Sequence, residues 1–378
     1  MGAAFAPPAF PVNPKFPNPY KGGNIKMASL SELLMNYVRY GGATGAGVVT
    51  RETLEGGPPS ADLTYVLPDA RSAVVFAVPL NQSYIEPYLS KKDRCLHEKD
   101  NITANLTASG MALELSNYLK QRGHSAVPVA ANQVYRSDTP HGPFDMMPDV
   151  SLRYLAVRSG IGHFGLSGNL ITNKEGAAVI LGAVITATDL EPTAPLPASD
   201  NYCDRCRLCI SSCMSGLMDH EKLTSVSLGG QIFSYSKRRF YMRCEYVCGG
   251  FTGLHPSGKW STWSPGRFPI PEKDRDYLEA LKTASQSYYR WPDIKGGFYH
   301  VLMDGKLYLT CGNCQLICHP DKEVRKRRYQ CLTKSGVIVQ HPDGTLEAVS
   351  PEQARKYFSD MAPEVRALYE TDNGAFSS

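Results

Sequence analysis

The chain has no run of about 18 apolar residues, so no membrane-spanning helix is expected. No hydrophobic signal segment opens it and no twin-arginine motif is present, since Met1-Gly2-Ala3-Ala4 leads into a proline-rich stretch; the expected location is the cytoplasm. Charge of one sign is missing too: 40 Lys and Arg against 36 Asp and Glu leave a net +4, too little to attract nucleic acid without a local patch. The one basic run, Lys322 followed by Arg325, Lys326, Arg327 and Arg328, reads as a solvated helix face before it reads as a phosphate track. Residues 1–25 lack any helix signal, because Pro7, Pro8, Pro11, Pro14, Pro17 and Pro19 suit an extended arm lying on the surface or on a partner subunit. With 42% hydrophobic and 20% charged residues over 378 positions, the rest suffices for one large or two ordinary globular domains.

What is present in quantity is cysteine, eleven in all, and most of it is patterned. Cys203-x2-Cys206-x2-Cys209-x3-Cys213 and Cys311-x2-Cys314-x3-Cys318 form two runs, with Cys244 and Cys248 between them. A cubane cluster needs four thiolates on its iron corners, and a tight turn carrying Cys-x2-Cys-x2-Cys supplies three while a distant cysteine closes the fourth. The pattern reads as two [4Fe–4S] clusters. When the last cysteine of each run serves the other cluster, the first takes Cys203, Cys206, Cys209 and Cys318. The second takes Cys213, Cys311 and Cys314, with its fourth ligand from Cys244 or Cys248. A zinc site built from two Cys-x2-Cys pairs would leave the third and fourth cysteines of the first run unexplained. Disulfides would need an oxidising compartment, to which nothing here points. Cys95, Cys331 and the unused member of the Cys244/Cys248 pair read as plain buried thiols.

Ser29 before an apolar helical pattern starts a first helix that runs to Tyr40. Val74-Val75-Phe76-Ala77-Val78 is a short β-branched run expected as a buried strand, residues 102–122 a long helix, and Ala126-Val127-Pro128-Val129 a second strand. Residues 149–159 read as helix, and 177–185 within 169–188 as a further buried strand. This layering between 70 and 190 is an α/β sandwich followed by a cysteine-rich module. The expected division is a proline-rich arm (1–25), an α/β domain (26–198), a two-cluster module (199–330) with a long insertion (214–310), and a tail (331–378) packing on the core. An insertion rich in Gly, Pro, Trp and Tyr usually carries specificity or partner contacts.

In this order the parts resemble the epoxyqueuosine reductase and reductive dehalogenase superfamily, from about Tyr65 to Pro320. Leu67-Pro68-Asp69-Ala70-Arg71-Ser72 looks like the family's opening strand, and Ala156-Val157-Arg158-Ser159-Gly160-Ile161-Gly162-His163-Phe164-Gly165 like its glycine-rich turn. Asn169-Leu170-Ile171-Thr172 and Cys314-Gln315-Leu316-Ile317-Cys318 continue the match. The resemblance implies an α+β fold: a nitroreductase-like α/β sandwich that binds a corrinoid, joined to a two-cluster ferredoxin-like module. It also implies base-off cobalamin, with the nearer cluster delivering electrons to cobalt. Gly160, Gly162, His163, Gly165, Asn169 and Thr172 are the expected cofactor-binding residues, glycines being suited to letting backbone amides approach a bulky ligand. Arg243-Cys244 resembles the family's Arg-Cys, which favours Cys244 over Cys248 as the last ligand.

The same resemblance supplies candidate chemistry. Phe144-Asp145-Met146-Met147-Pro148 looks like the segment carrying the reductases' acidic residue, and Arg153 like the arginine that follows it, with one extra residue between. Asp145 serves as proton donor if burial raises its pKa; its alternative role is a helix cap. Tyr135 beside Arg136, His141 and His163 are further polar candidates. The expected function is a cobalamin-dependent iron–sulfur reductase that cleaves a bond in a small or nucleoside-like substrate, with electrons from a ferredoxin- or flavodoxin-type donor. A cytoplasmic reductive dehalogenase and an electron-transfer or corrinoid-activating iron–sulfur protein are the alternatives. A tRNA substrate would have to rely on the basic run alone, and an oligomer on the N-terminal arm. The departures, Met214 after Cys213, Gly165-Leu166-Ser167-Gly168-Asn169 without a basic residue, and the long insertion, leave the substrate open.

Overall fold

The computed structural model describes residues 29–130, 134–300 and 305–370, and the proline-rich arm lies outside them. Helix α1 (Leu30–Tyr40) starts where its cap dictates: the Ser29 hydroxyl accepts from the Glu32 amide while the Glu32 carboxylate accepts from the Ser29 amide. Strands β1 (Gly45–Thr50), β2 (Ser72–Pro79), β3 (Ala126–Val129) and β4 (Val179–Thr186) form one sheet in the order β1-β2-β4-β3, antiparallel throughout. The fold is thus mixed helix and sheet.

Alternation along β2 sends Val74, Phe76 and Val78 to one face and Ala73, Val75 and Ala77 to the other. The first face packs on Leu115 and Leu119 of helix α2 (Cys95–Gln121), the second on Leu155 and Val157 of helix α3 (Leu152–Arg158). Both faces being covered, β2 is buried almost end to end, which is why it reads as a continuous apolar run. Each aliphatic side chain taken from water here stabilises the fold by roughly 1.5–3 kcal/mol. Helix α2 lies close on β4 at Gly182, where a Cβ would stand 2.8 Å from the Phe76 ring and 3.2 Å from the Ala108 carbonyl oxygen. It begins at Cys95 rather than 102, because His97 and Glu98 are buried and Arg94 pairs with Glu98 one turn on.

Within the insertion, β5 (Met218–Leu228) and β6 (Gln231–Arg238) form a hairpin whose Gly229-Gly230 turn has φ of +56° and +76°, the two-residue turn that matches strand twist. Helices α4 (Met242–Cys248) and α5 (Tyr277–Tyr288) follow, packed through Met242, Tyr246 and Tyr277. Helix α6 (Lys322–Thr333) carries the basic run, but Arg325 pairs with Asp204, Arg328 donates to the Leu316 carbonyl and Gln82, and Arg327 pairs with Glu86. Lys322, Lys326 and Arg327 form the expected solvated face, whereas Arg325 and Arg328 are buried and brace the cysteine turns. Strands β7 (Val337–Gln340) and β8 (Leu346–Val349) and helix α7 (Pro351–Ser359) follow, then a short helix at Pro363–Arg366, with Leu332 and Ile338 joining the main core. No helix among the described residues is long and apolar enough to cross a membrane.

Candidate active site between the sheet and the cysteine turns

All eleven cysteines are free. Their thiols fall into two neighbourhoods. Cys209 is pushed up to about 12, by burial first and then by Cys318, Cys203 and Cys206, because neighbouring sulfurs resist ionising together. Burial likewise holds Cys314 well above its ordinary value, with Cys213, Cys244 and Cys311 adding to it, and Cys311 is pushed up to about 12 with contributions from Cys244 and Cys213. Cys248 sits beside Cys244 and also feels Cys311. Thiols grouped in this way become thiolates only beside concentrated positive charge, as an iron–sulfur core supplies. Among the described residues no three His, Cys, Asp or Glu side chains are grouped tightly enough to hold a single metal ion.

Donors are aimed at several of these sulfurs. The Leu166 amide lies 3.3 Å from Cys203 Sγ, Asn169 Nδ2 3.7 Å from Cys314 Sγ, and the Tyr202 hydroxyl 3.7 Å from Cys318 Sγ. Arg238 favours the ionised forms of Cys244 and Cys314. Hydrogen bonds and cations at ligand sulfurs raise the potential of a bound cluster. Arg238 also accounts for part of the hairpin's purpose, since β6 ends on it; its guanidinium donates to Ser167 O at 2.9 Å and to Asn169 Oδ1 at 2.9 Å. Arg153 shares the Tyr241 hydroxyl with Arg238, each at 3.3 Å, and binds the Gly168 carbonyl. Neither Arg238 nor Tyr241 was among the residues singled out from sequence, although Lys237-Arg238-Arg239 just ahead of Cys244 is a signal that could have found them.

The glycine segment does something other than what its composition suggests. A Cβ at Gly160 would lie 2.2 Å from the Ala194 carbonyl oxygen, at Gly162 2.3 Å from that of Ile171, and at Gly165 3.0 Å from the Ile171 side chain. The close approach these glycines permit is to the chain itself. His163 is buried without a partner for Nε2, and Thr172 donates to Glu175 at 2.7 Å. Of the six expected cofactor-binding residues, Asn169 alone is among those lining the cavity described next.

A cavity of about 1000 Å³ opens between the sheet and the second thiol group. Ile180 and Leu181 of β4, His97, Glu98 and Asn101 of α2, and the thiols Cys244, Cys248, Cys311 and Cys314 line it. Arg153 and Tyr135 line it as well. Buried His97 has no partner for Nδ1, and burial lowers its pKa to about 4, so the ring enters the wall neutral. Burial pushes the Tyr135 phenol up to about 12, with Glu245, Cys248 and Cys244 contributing, which keeps its proton in place. Arg136 does not accompany it: that guanidinium pairs with Asp138 and stacks on Tyr65.

Asp145 differs from expectation. Burial alone would raise its pKa, but the His141 amide at 3.0 Å, the His141 ring at 2.8 Å and Thr139 outweigh it and hold the carboxyl below its ordinary value. Phe144 and Met146 on either side line the cavity, while the Asp145 carboxylate turns to His141. The neutral acid that the role of donor requires is therefore not supplied at this position, because a hydrogen-bonded carboxylate favours its ionised form.

No family model matches the chain. An epoxyqueuosine reductase of Gloeobacter violaceus is 29% identical over 177 residues, which is 46% of this chain and 50% of that protein, so the chain spans about half the length of the curated relative it matches. Among solved structures, a reductive dehalogenase described for B12-dependent dehalogenation aligns over 92% of this chain and 44% of its own, with 14% identity and a TM-score of 0.46. An epoxyqueuosine reductase with a modified tRNA-Tyr stem loop aligns over 89% and 73%, with 17% identity and a TM-score of 0.38. The superfamily resemblance carried by the motifs of this chain is thus matched by an epoxyqueuosine reductase at the level of sequence.

Proposed function

We propose that this chain is an iron–sulfur reductase of the epoxyqueuosine reductase kind, in which two [4Fe–4S] clusters feed electrons to a cobalamin held base-off in the 1000 Å³ cavity. The observation that carries the reading is that Cys244, Cys248, Cys311 and Cys314 line the same cavity as the apolar side chains Val179, Ile180 and Leu181 of the sheet. Its volume lies at the upper end of the roughly 300–1,000 Å³ of ordinary small-molecule sites, which suits a large flat cofactor. The unpartnered Nδ1 of His97 gives the cavity a polar group in need of a ligand. A cavity of this depth also favours a catalyst over a bare electron-transfer module.

Cys203, Cys206, Cys209 and Cys318 would hold one cluster, and Cys213, Cys244, Cys311 and Cys314 the other. Bound in the cavity, a cobalamin would supply the low-valent cobalt chemistry that cleaves a bond reductively. Asn169 and Arg238 stabilise charge on the nearer sulfurs, and the apolar wall from β4 excludes water. Tyr135 holds the proton that the cleaved substrate takes up, and Arg153 positions the Gly168 turn and Tyr241. We assign the electron supply to a ferredoxin- or flavodoxin-type donor and the substrate to a small or nucleoside-like molecule.

The cavity assignment is tested by cobalamin titration of anaerobically reconstituted protein. The base-off corrin absorbance should saturate in the unaltered chain and be lost in Ile180→Trp, which pushes an indole from the sheet into the cavity, with iron content unchanged. Retention of cobalamin by Ile180→Trp, or no retention by either protein, overturns the assignment.

A further inference from the structure

A second cavity, of about 720 Å³, lies between the loop of residues 252–270 and helix α7, built from the insertion and the C-terminal segment. Arg267 lines it and is 1% exposed. Its terminal nitrogens donate to neutral oxygens, Nη1 to the Gly250 carbonyl at 2.7 Å and Nη2 to Gln340 Oε1 at 2.6 Å. The guanidinium sits 3.8 Å over the Trp291 ring and also touches the Tyr369 hydroxyl. Its Nε has no partner, and among the described residues no carboxylate pairs with it. A guanidinium withdrawn from water without a counter-charge is costly, so this position calls for an anion.

The same cavity contains a second orphan of the same kind. Arg366 lines it, and its Nε is also buried without a partner. Lys356 of α7 and Arg355, itself paired with Glu352 at 3.5 Å, also line the cavity, and Glu370 is the carboxylate among its lining residues. Leu254, Phe268, Ile270 and Phe358 make much of the remaining wall apolar. Two free N–H groups on separate guanidiniums, with an ammonium nearby, exceed what the two oxygens of a carboxylate satisfy; a phosphate has the oxygens and the charge.

We propose that this cavity binds a phosphate-bearing small molecule, the phosphate accepting from Arg267, Arg366 and Lys356 and the organic part lying on the apolar wall. The site stands apart from the cysteine-lined cavity and does not depend on what that cavity holds. Titration calorimetry on the full chain with its clusters reconstituted, at constant ionic strength set with chloride, tests it with inorganic phosphate and adenosine 5′-monophosphate as probes. One saturable site per chain is expected, with the nucleotide binding more tightly than inorganic phosphate. Arg267→Gln would also break the bonds to Gly250 and Gln340, and Arg366→Gln those to the Ser359 and Met361 carbonyls, so exposed Lys356→Gln carries the test and Arg366→Gln is read beside it with an unchanged thermal midpoint as its control. Each should weaken both probes by about tenfold, the loss of one charge-assisted contact, with the cluster absorbance unchanged. No saturable binding, or unaltered affinity in both variants, overturns the proposal; a nucleotide no tighter than inorganic phosphate overturns the assignment to a phosphate ester.

Discussion

Tyr135 and Asp145 show how the same function is offered or withdrawn by surroundings. The phenol faces the cavity with burial holding its proton on, whereas the carboxylate is kept ionised by His141. A proton donor must be protonated before the step it serves, so Tyr135→Phe should lower turnover on the order of 10²–10⁴-fold with cofactor content intact, while Asp145→Asn changes it far less. Steady-state kinetics of the two variants, each checked for iron and cobalt, decides between them; the reverse ranking would return the role to Asp145. At the second thiol group, Cys244 raises the pKa of both Cys311 and Cys314. Cys244→Ser is expected to lose one cluster and Cys248→Ser to keep both, read as iron and sulfide per chain. The cysteine runs are legible in the sequence because ligand spacing is local to a turn, and the structure brings their thiols into two neighbourhoods. The glycines misled because a glycine says only that something comes close; whether ligand or chain comes close is decided by Ala194 and Ile171, which sequence does not place.

Elements reach the site by packing that differs in how plainly it is written. Strand β2 is a run of β-branched and small residues and was evident, and so was α1 from its serine cap. Helix α2 opens earlier than its pattern suggests, since no side-chain cap marks Arg94 and the first turn is held by the Arg94–Glu98 pair under the tail of the insertion. That early turn is the part that matters, because it brings His97 and Glu98 to the cavity. The register of α2 on β4 depends on Gly182. Gly182→Ala would press a methyl into Phe76 and the Ala108 carbonyl, and is expected to cost about 1–3 kcal/mol, the usual penalty of overpacking, seen as a lower denaturation midpoint in urea. An unchanged midpoint would mean that α2 is free to shift, and with it the His97 wall.

Across the whole molecule, burial of charge leaves a pH signature away from the cluster cysteines. Lys91 is buried beside the Ser335 hydroxyl, and desolvation lowers its pKa to about 7. Between that value and the ordinary 10.5 the unfolded chain binds the extra proton, so stability rises with pH through this window and the burial cost is fully present below it. The rise, on the order of a few kcal/mol at most, should vanish in Lys91→Met when urea midpoints are compared from pH 7 to 10. The cavity itself belongs to this scale, and for that reason it was the least legible: its walls come from α2, β4, the insertion and the last cysteine turn, which only the folded chain assembles. The central proposal is that the chain holds two clusters and one corrinoid, with the second thiol group bordering that cavity. Anaerobic reconstitution with iron, sulfide and cobalamin, followed by metal analysis of the desalted protein, tests this most directly. Two cubanes and one corrinoid predict about eight iron and one cobalt per chain; about four iron, or cobalt lost on desalting, would contradict it.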